Sequence, residues 1–248
     1  MSKTYIITGA GSGIGRAIAK KLSIDGNNCI LLGRKADQLQ QTLDTLSSGQ
    51  HLLFTADVAD RHSLANVAGQ LNETIIDGLI ANAGIGGENQ WGDTDRWDNI
   101  IATNLTGTYN FVNTFLPNLR KASGGQILIM SSVLARLGVP NYAAYCASKA
   151  GLLGLMRSWA TQFAPEKILV NAICPGWVDT DMAQQGLQGI ADGIGITKQE
   201  FYDIAMQSVP LRRMSKPEEI ADLAAYLLSQ TSITGQAIDI NCGAVMNS

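Results

Sequence analysis

Short β-branched or apolar runs alternate along this chain with stretches of helical periodicity, and that alternation limits the fold more than any other feature. The strand-like runs are TYIIT (4–8), NCILL (28–32), HLLFT (51–55), GLIANA (78–83), QILIMS (126–131), ILVNAI (168–173) and QAIDI (236–240). Between them, GIGRAIAKKLSIDG and KADQLQQTLDTLSS place apolar residues at i, i+3, i+4 and i+7 spacing. Strands alternating with helices imply right-handed crossovers and a parallel sheet covered on both faces. The expected fold class is therefore α/β, a doubly wound parallel sheet of about seven strands. With 248 residues and 46% of them apolar, the chain can bury one sizeable core, so a single domain over 1–248 is expected. One stretch breaks the alternation. The glycine-spaced MAQQGLQGIADGIGITKQEF (182–201) reads as an excursion over the sheet edge, a substrate lid at about 181–208 or else a disordered surface insertion.

Charge and composition remove several function classes. The formal net charge is -3 and the basic residues are dispersed, so no nucleic-acid or polyanion partner is expected. Cys29, Cys146, Cys174 and Cys242 stand far apart with no C-x-x-C, which favours reduced thiols and a cytoplasmic setting. No apolar run has the length of a membrane span, and MSKTYIITGAG has no signal-peptide core, so no membrane partner is expected. With His51 and His62 as the only histidines, no metal site is expected.

The first chemical signal is TGAGSGIGRA, directly after the first strand and opening the first helix. Glycine lets backbone N–H groups approach a phosphate, and a helix N-terminus supplies positive potential. Thr8, Gly9, Ser12, Gly13, Ile14 and Gly15 are the cofactor-binding candidates of this loop. At the end of the second strand an acid would accept from an adenosine 2′-hydroxyl, whereas arginine would pair a 2′-phosphate. CILLGRKAD has Gly33 where the acid would stand, then Arg34 and Lys35, which favours NADP(H) over NAD(H). Arg34 also reads as an ordinary solvated residue, in which case the preference is weak.

The second signal is AAYCASKAG, where Tyr145 precedes Lys149 by one helical turn. A unit charge ~4 Å from the phenol at an effective dielectric of ~20 is worth about 4 kcal/mol, enough to bring a tyrosine from ~10 to ~7. The pair is also consistent with a helix carrying an aromatic face and a solvated lysine. ILIMSSV offers Ser131 and Ser132 as a second hydrogen-bond donor, and strand alternation aims only one of them at any given site.

These motifs, in this order, resemble the short-chain dehydrogenase/reductase family from about residue 3 to 243. The resemblance rests on T-G-x-x-x-G-x-G at 8–15, Asp57-Val58, Asn82-Ala83-Gly84, Asn104, a serine thirteen residues before Tyr145, and Pro175-Gly176. It implies a Rossmann-like fold and selects Ser132 over Ser131. It also implies catalytic roles for four residues. Tyr145 is the general acid for carbonyl reduction, and Lys149 lowers its pKa and holds the nicotinamide ribose. Ser132 orients the substrate oxygen, and Asn104 supports a proton-carrying water. Asp57 and Val58 become adenine contacts, Asn82, Ala83 and Gly84 line the adenosine side, Pro175, Gly176 and Val178 cradle the nicotinamide, and Thr180 reaches its amide or a phosphate. Asp57 reads equally as a turn cap and Asn82 as a strand-bridging amide.

The expected activity is NADP(H)-dependent interconversion of a ketone or aldehyde and a secondary alcohol, and the expected partner is a small carbonyl or alcohol substrate, free or carrier-linked. VNAICPGWVDTDMA and VPLRRMSKPEEIADLAAYLLS resemble 3-oxoacyl and polyketide reductases most. Ser123 and Glu166 stand where 3-oxoacyl reductases carry basic carrier-docking residues, with Lys121 and Lys167 adjacent. Leu134, Tyr142 and Trp177 are the substrate-pocket candidates. The alternatives are an NAD(H)-dependent alcohol, steroid or sugar dehydrogenase of the same family and, more remotely, a non-catalytic NADP-sensing module. The helix starting near Asn141 is rich in small residues, and a homo-oligomer, tetramer or dimer, is expected.

Overall fold

A computed structural model describes residues 2–246; Met1, Asn247 and Ser248, at the two ends of the expected 1–248 domain, lie outside the described residues. All seven expected runs are strands: β1 (Thr4–Thr8), β2 (Asn28–Gly33), β3 (Leu52–Thr55), β4 (Gly78–Ala81), β5 (Gly125–Met130), β6 (Ile168–Pro175) and β7 (Ala237–Ile240). They form one parallel sheet in the order β3-β2-β1-β4-β5-β6-β7. The order reverses between β1 and β4, and a crevice opens beyond the carboxyl ends of those strands, where ligands bind in such sheets. β4 stops at Ala81 for a local reason. The next two N–H groups, of Asn82 and Ala83, both donate to the Thr8 hydroxyl at 2.9 Å instead of continuing the ladder.

Helices α1 (Gly13–Ile24), α2 (Ala36–Leu43) and α9 (Pro217–Ser229) cover one face, and α3 (Arg61–Gln70), α5 (Gly107–Leu119) and α6 (Ala143–Phe163) the other. The two-residue strand period divides the core accordingly. Ile6, Ile30, Leu79 and Ile127 point to the α5 and α6 side, whereas their neighbours Ile7, Leu31, Ile80 and Leu128 point to the α1 and α9 side. A short α4 (Trp97–Ile101) leads into α5 through a π-helical turn at Ala102–Thr106. Such turns displace one residue out of helical register and recur at functional sites.

The 181–208 segment is neither a loop nor a disordered insertion. It is a helical pair, α7 (Asp181–Ile194) and α8 (Lys198–Gln207). Gly195 ends α7 in the left-handed region at φ 73, and Thr197 and Glu200 start α8 as a reciprocal capping box. Leu187, Met206, Val209 and Met214 form a small separate core beneath the pair.

Candidate active site

The glycine loop leaves the carboxyl end of β1 and opens α1. Ser12 stands at the helix N-cap with its side chain capping nothing, so the first-turn N–H groups face outward without a side-chain acceptor. Gly13 has φ 49, a left-handed conformation that suits glycine, and a Cβ on Gly15 would lie 2.3 Å from the Gly9 oxygen. The loop is thus folded tightly on itself with bare amides at a helix N-terminus, which fits a pyrophosphate. Thr8 and Asn82 build its far wall. The Asn82 Nδ2 donates to the Thr8 oxygen at 2.9 Å, so the strand-bridging reading of Asn82 holds within the groove itself.

At the end of β5 the two adjacent serines divide as strand alternation requires. Ser131 is buried and its hydroxyl donates to the Lys149 backbone oxygen at 2.9 Å, bracing α6. Ser132 turns the other way, accepts from Leu134 N at 3.1 Å and stands near enough to the Tyr145 phenol to favour its charged form. Lys149 is buried, donates to the Met130 oxygen at 2.9 Å, and its Nζ lies 5.5 Å from the centroid of the Tyr145 ring.

One expectation is reversed in the chain by itself. Burial pushes the Tyr145 phenol up to about 12, with the Ser132 hydrogen bond acting against it. Burial also brings Lys149 down to about 8, with Cys174 opposing. Loss of hydration disfavours both charged forms, and the Lys149 ammonium, on which the expected lowering of Tyr145 relied, is not among the groups that shift the phenol.

Asn104 sits in the π-helical turn and is fully buried. Its Oδ1 accepts from Ile85 N at 2.8 Å, and its Nδ2 donates to the Ile85 oxygen at 3.0 Å and to Ser148 Oγ at 3.2 Å. The side-chain amide is thereby committed to the loop after β4 and to α6, leaving no side-chain N–H for a water. Gly84 lies between the two polar groups, since a Cβ placed there would be 3.3 Å from Asn104 Oδ1 and 3.5 Å from Lys149 Nζ.

Residues 3–190 match the family described as short chain dehydrogenase. The chain belongs to that family. Its members are oxidoreductases that use NAD(H) or NADP(H), and this short-chain dehydrogenase shares their fold and their order of motifs. It is 32% identical to a D-beta-hydroxybutyrate dehydrogenase of Rhizobium meliloti, covering 98% of each chain. It is also 32% identical to a 3-oxoacyl-[acyl-carrier-protein] reductase of Thermotoga maritima, again over 98% of each chain. Among solved structures it resembles a variant of actinorhodin polyketide ketoreductase crystallised with NADPH, with a TM-score of 0.92 at 30% identity, covering 98% of this chain and 97% of that one.

The remaining expected residues of this short-chain dehydrogenase fall into three groups. At the carboxyl ends of β2 and β3, Arg34 and Asp57 line one open cleft with Thr55, Ala56 and Ser63. Arg34 and Lys35 are exposed and make no ion pair among the described residues, whereas Asp57 also caps its own turn by accepting from Ala59 N at 2.9 Å. Val58 is buried, and a Cβ on Gly107 would lie 2.6 Å from its Cγ2. Beyond β6, Gly176 packs on Asn241, and Val178 is buried and bridges Ser215. Thr180 caps α7 through Ala183 N at 3.3 Å, and its Cγ2 would be 3.1 Å from a Cβ on Gly13, so α7 starts against the glycine loop.

The pocket candidates separate. Leu134 is half-buried in the turn after Ser132. The Tyr142 phenol is raised by burial, with Glu88 adding to the rise and Arg96 opposing it. Trp177 packs into the small core under α7 and α8, so its indole supports that pair. Sequence reasoning missed Arg16 and Asn89. Arg16 Nε donates to Thr42 Oγ1 at 3.0 Å, and its guanidinium also bonds the Gly11 oxygen, tying α2 to the glycine loop. Its place immediately after Gly15 was the available signal. Asn89 carried none.

Proposed function

We propose that this short-chain dehydrogenase interconverts a 3-oxoacyl ketone and the corresponding 3-hydroxyacyl alcohol with NADP(H). The reading is carried by Ser132 and Tyr145 set side by side at the carboxyl end of the sheet, with Lys149 Nζ 5.5 Å from the Tyr145 ring centroid. When bound, the dinucleotide supplies or accepts the hydride. Tyr145 donates its proton to the carbonyl oxygen in reduction, and a phenol near 12 keeps that proton available at neutral pH. Ser132 holds the same oxygen. Lys149, near 8, can return a proton to the phenolate after turnover and would place its cation beside it as the charge develops. Asn104 keeps Ile85 and Ser148 at their places around this point.

The NADP(H) preference rests on the unpaired Arg34 beside the open cleft and on Gly33 where a competing carboxylate would stand. The 3-oxoacyl assignment rests on relatives whose names share that chemistry, one a 3-oxoacyl reductase and one a β-hydroxybutyrate dehydrogenase. A free acyl substrate suits the surface better than a carrier-linked one. Glu166 is held by Arg120 at 2.6 and 2.8 Å, and Lys121 lies 3.8 Å from Glu73, so the expected docking patch shows paired charges. Nicotinamide absorbance with NADPH and with NADH against 3-oxoacyl thioesters, free 3-oxo acids, cyclic ketones and sugars tests the reading. Highest kcat/KM for a 3-oxoacyl compound with NADPH is expected. Turnover confined to sugars, or to NADH, overturns it, and binding of NADPH with no turnover of any carbonyl would leave the sensing module.

A further inference from the structure

Helix α6 carries Tyr145 in its first turn but starts without a cap of its own. Its N-cap, Tyr142, has no side-chain hydrogen bond to the helix, and the preceding Asn141 is held at φ 62. The amide of Ala144, the residue before Tyr145, donates instead to Oδ1 of Asn89 at 2.9 Å, from 55 residues earlier in the chain. Asn89 also donates its own N–H to the Asn141 oxygen at 2.8 Å and is only 4% exposed. Its Nδ2 reaches Asp95 Oδ1 at 3.4 Å, and that oxygen also accepts from Trp97 N at 3.0 Å, where α4 begins.

The segment from Ile85 to Asn89 is therefore pinned at both ends by buried asparagines. Asn104 holds Ile85, and Asn89 itself grips the start of α6. Between the pins the strap runs past the Tyr145 ring, since a Cβ on Gly86 would lie 4.0 Å from Tyr145 Cε2 and 3.4 Å from Met182 Sδ in the first turn of α7.

We infer that Asn89 is a positioning residue for Tyr145: it supplies the missing cap of α6 and so sets the angle at which the phenol meets Ser132. The inference rests on the reaction proposed above. An uncapped first turn rotates or frays, and the Tyr145 side chain leaves from that turn. Ser132 is fixed independently by β5, so a loose helix start separates two hydroxyls that must meet one oxygen.

The test compares Asn89→Leu, which keeps the volume and removes the acceptor, with the double variant Asn89→Asp/Asp95→Asn, which keeps the acceptor for Ala144 N at a helix N-terminus that favours negative charge and exchanges amide and carboxylate so that the contact with position 95 remains a hydrogen bond. Both are assayed below their unfolding temperatures by steady-state kinetics with a 3-oxoacyl thioester and by NADPH fluorescence titration. Asn89→Leu is expected to lower kcat about ten- to a hundredfold while NADPH affinity stays within about twofold, the cofactor loop being untouched. The double variant Asn89→Asp/Asp95→Asn is expected to restore most of kcat. Equal kcat in all three proteins, or an equal kcat loss in Asn89→Leu and in the double variant, overturns the inference. Absence of turnover in the unaltered protein overturns the reaction reading on which it rests, and the two failures are told apart by that control.

Discussion

The glycine loop with its strands and the α7–α8 pair border the same crevice, yet they are held together by different means. The loop is anchored by backbone geometry that has no slack: Gly15 against the Gly9 oxygen, Asn82 on Thr8, and Arg16 from α1 onto Gly11 and Thr42. The helical pair rests on a few side chains, Leu187, Met206, Val209 and Met214, with Trp177 beneath, and a Cβ added at Gly186, Gly189 or Gly193 of α7 would project into open space. A region fixed by backbone contact tolerates no added atom. A region fixed by a small apolar cluster has room for change.

The comparison is tested most severely at the point where the two regions meet. Tyr145→Phe is expected to lower turnover ~10³-fold or more with NADPH affinity retained, since the ring and the cofactor loop stay in place. Turnover within a few-fold of the unaltered protein sinks the proposed chemistry, and loss of NADPH binding shows that the two sides are not separable. Gly15→Ala strikes the loop alone. Its Cβ would meet the Gly9 oxygen at 2.3 Å and Asn82 Nδ2 at 2.6 Å, so NADPH affinity should fall about a hundredfold with a clear drop in Tm. Calorimetric titration showing near-normal affinity would mean the loop has slack after all.

Lys149→Met provides a pH signature of the buried wall. The folded-state value of Lys149, about 8, lies below its ordinary 10.5. Below pH 8 the ammonium is charged in both states, so the full burial penalty, on the order of 3 kcal/mol, is present. As pH rises from about 8 to about 10.5 the folded chain has already lost this proton, and the penalty fades. Without cofactor, the variant should therefore exceed the unaltered protein in Tm at pH 7, and the gap should close by pH 10.5. A gap that does not change with pH contradicts the assignment.

Arg34→Ala should reduce the NADPH-to-NADH ratio of kcat/KM about tenfold or more, leaving Tm within a degree or so because the side chain is exposed. An unchanged ratio removes the NADP(H) reading. The smallest effect sharpens the contrast most directly. Gly189→Ala, in open space within α7, should stabilise by ~0.5–1 kcal/mol, opposite in sign to the same exchange at Gly15. Denaturant midpoints of the two variants moving in the same direction would erase the distinction between the regions.

The legibility of the sequence follows the same division. The five inner strands were visible because parallel strands buried on both faces read as unbroken apolar runs, the partly exposed edge strands β3 and β7 through shorter apolar runs, and the glycine loop because its spacing reflects local backbone geometry. The 181–208 segment was read as a glycine-spaced excursion because its glycines masked helical periodicity, and its stop at Gly195 and start at Thr197 gain meaning only once the flanking helices exist. Trp177, read from the sequence as pocket wall, packs on the small core beneath that pair, a contact that spacing along the chain does not record.

By itself, the sequence determined the alternation, the loop that opens α1, the family, and the turn of helix that holds Tyr145 and Lys149 on one face. These depend on residues within a few positions of one another, where covalent geometry and period suffice. Family spacing had already picked Ser132; tertiary structure alone decided that Ser131 braces α6 and that Asn89 caps a helix 55 residues away. It also decided that burial drives Tyr145 up and Lys149 down, because desolvation is set by everything packed around a group, and spacing along the chain carries no record of that.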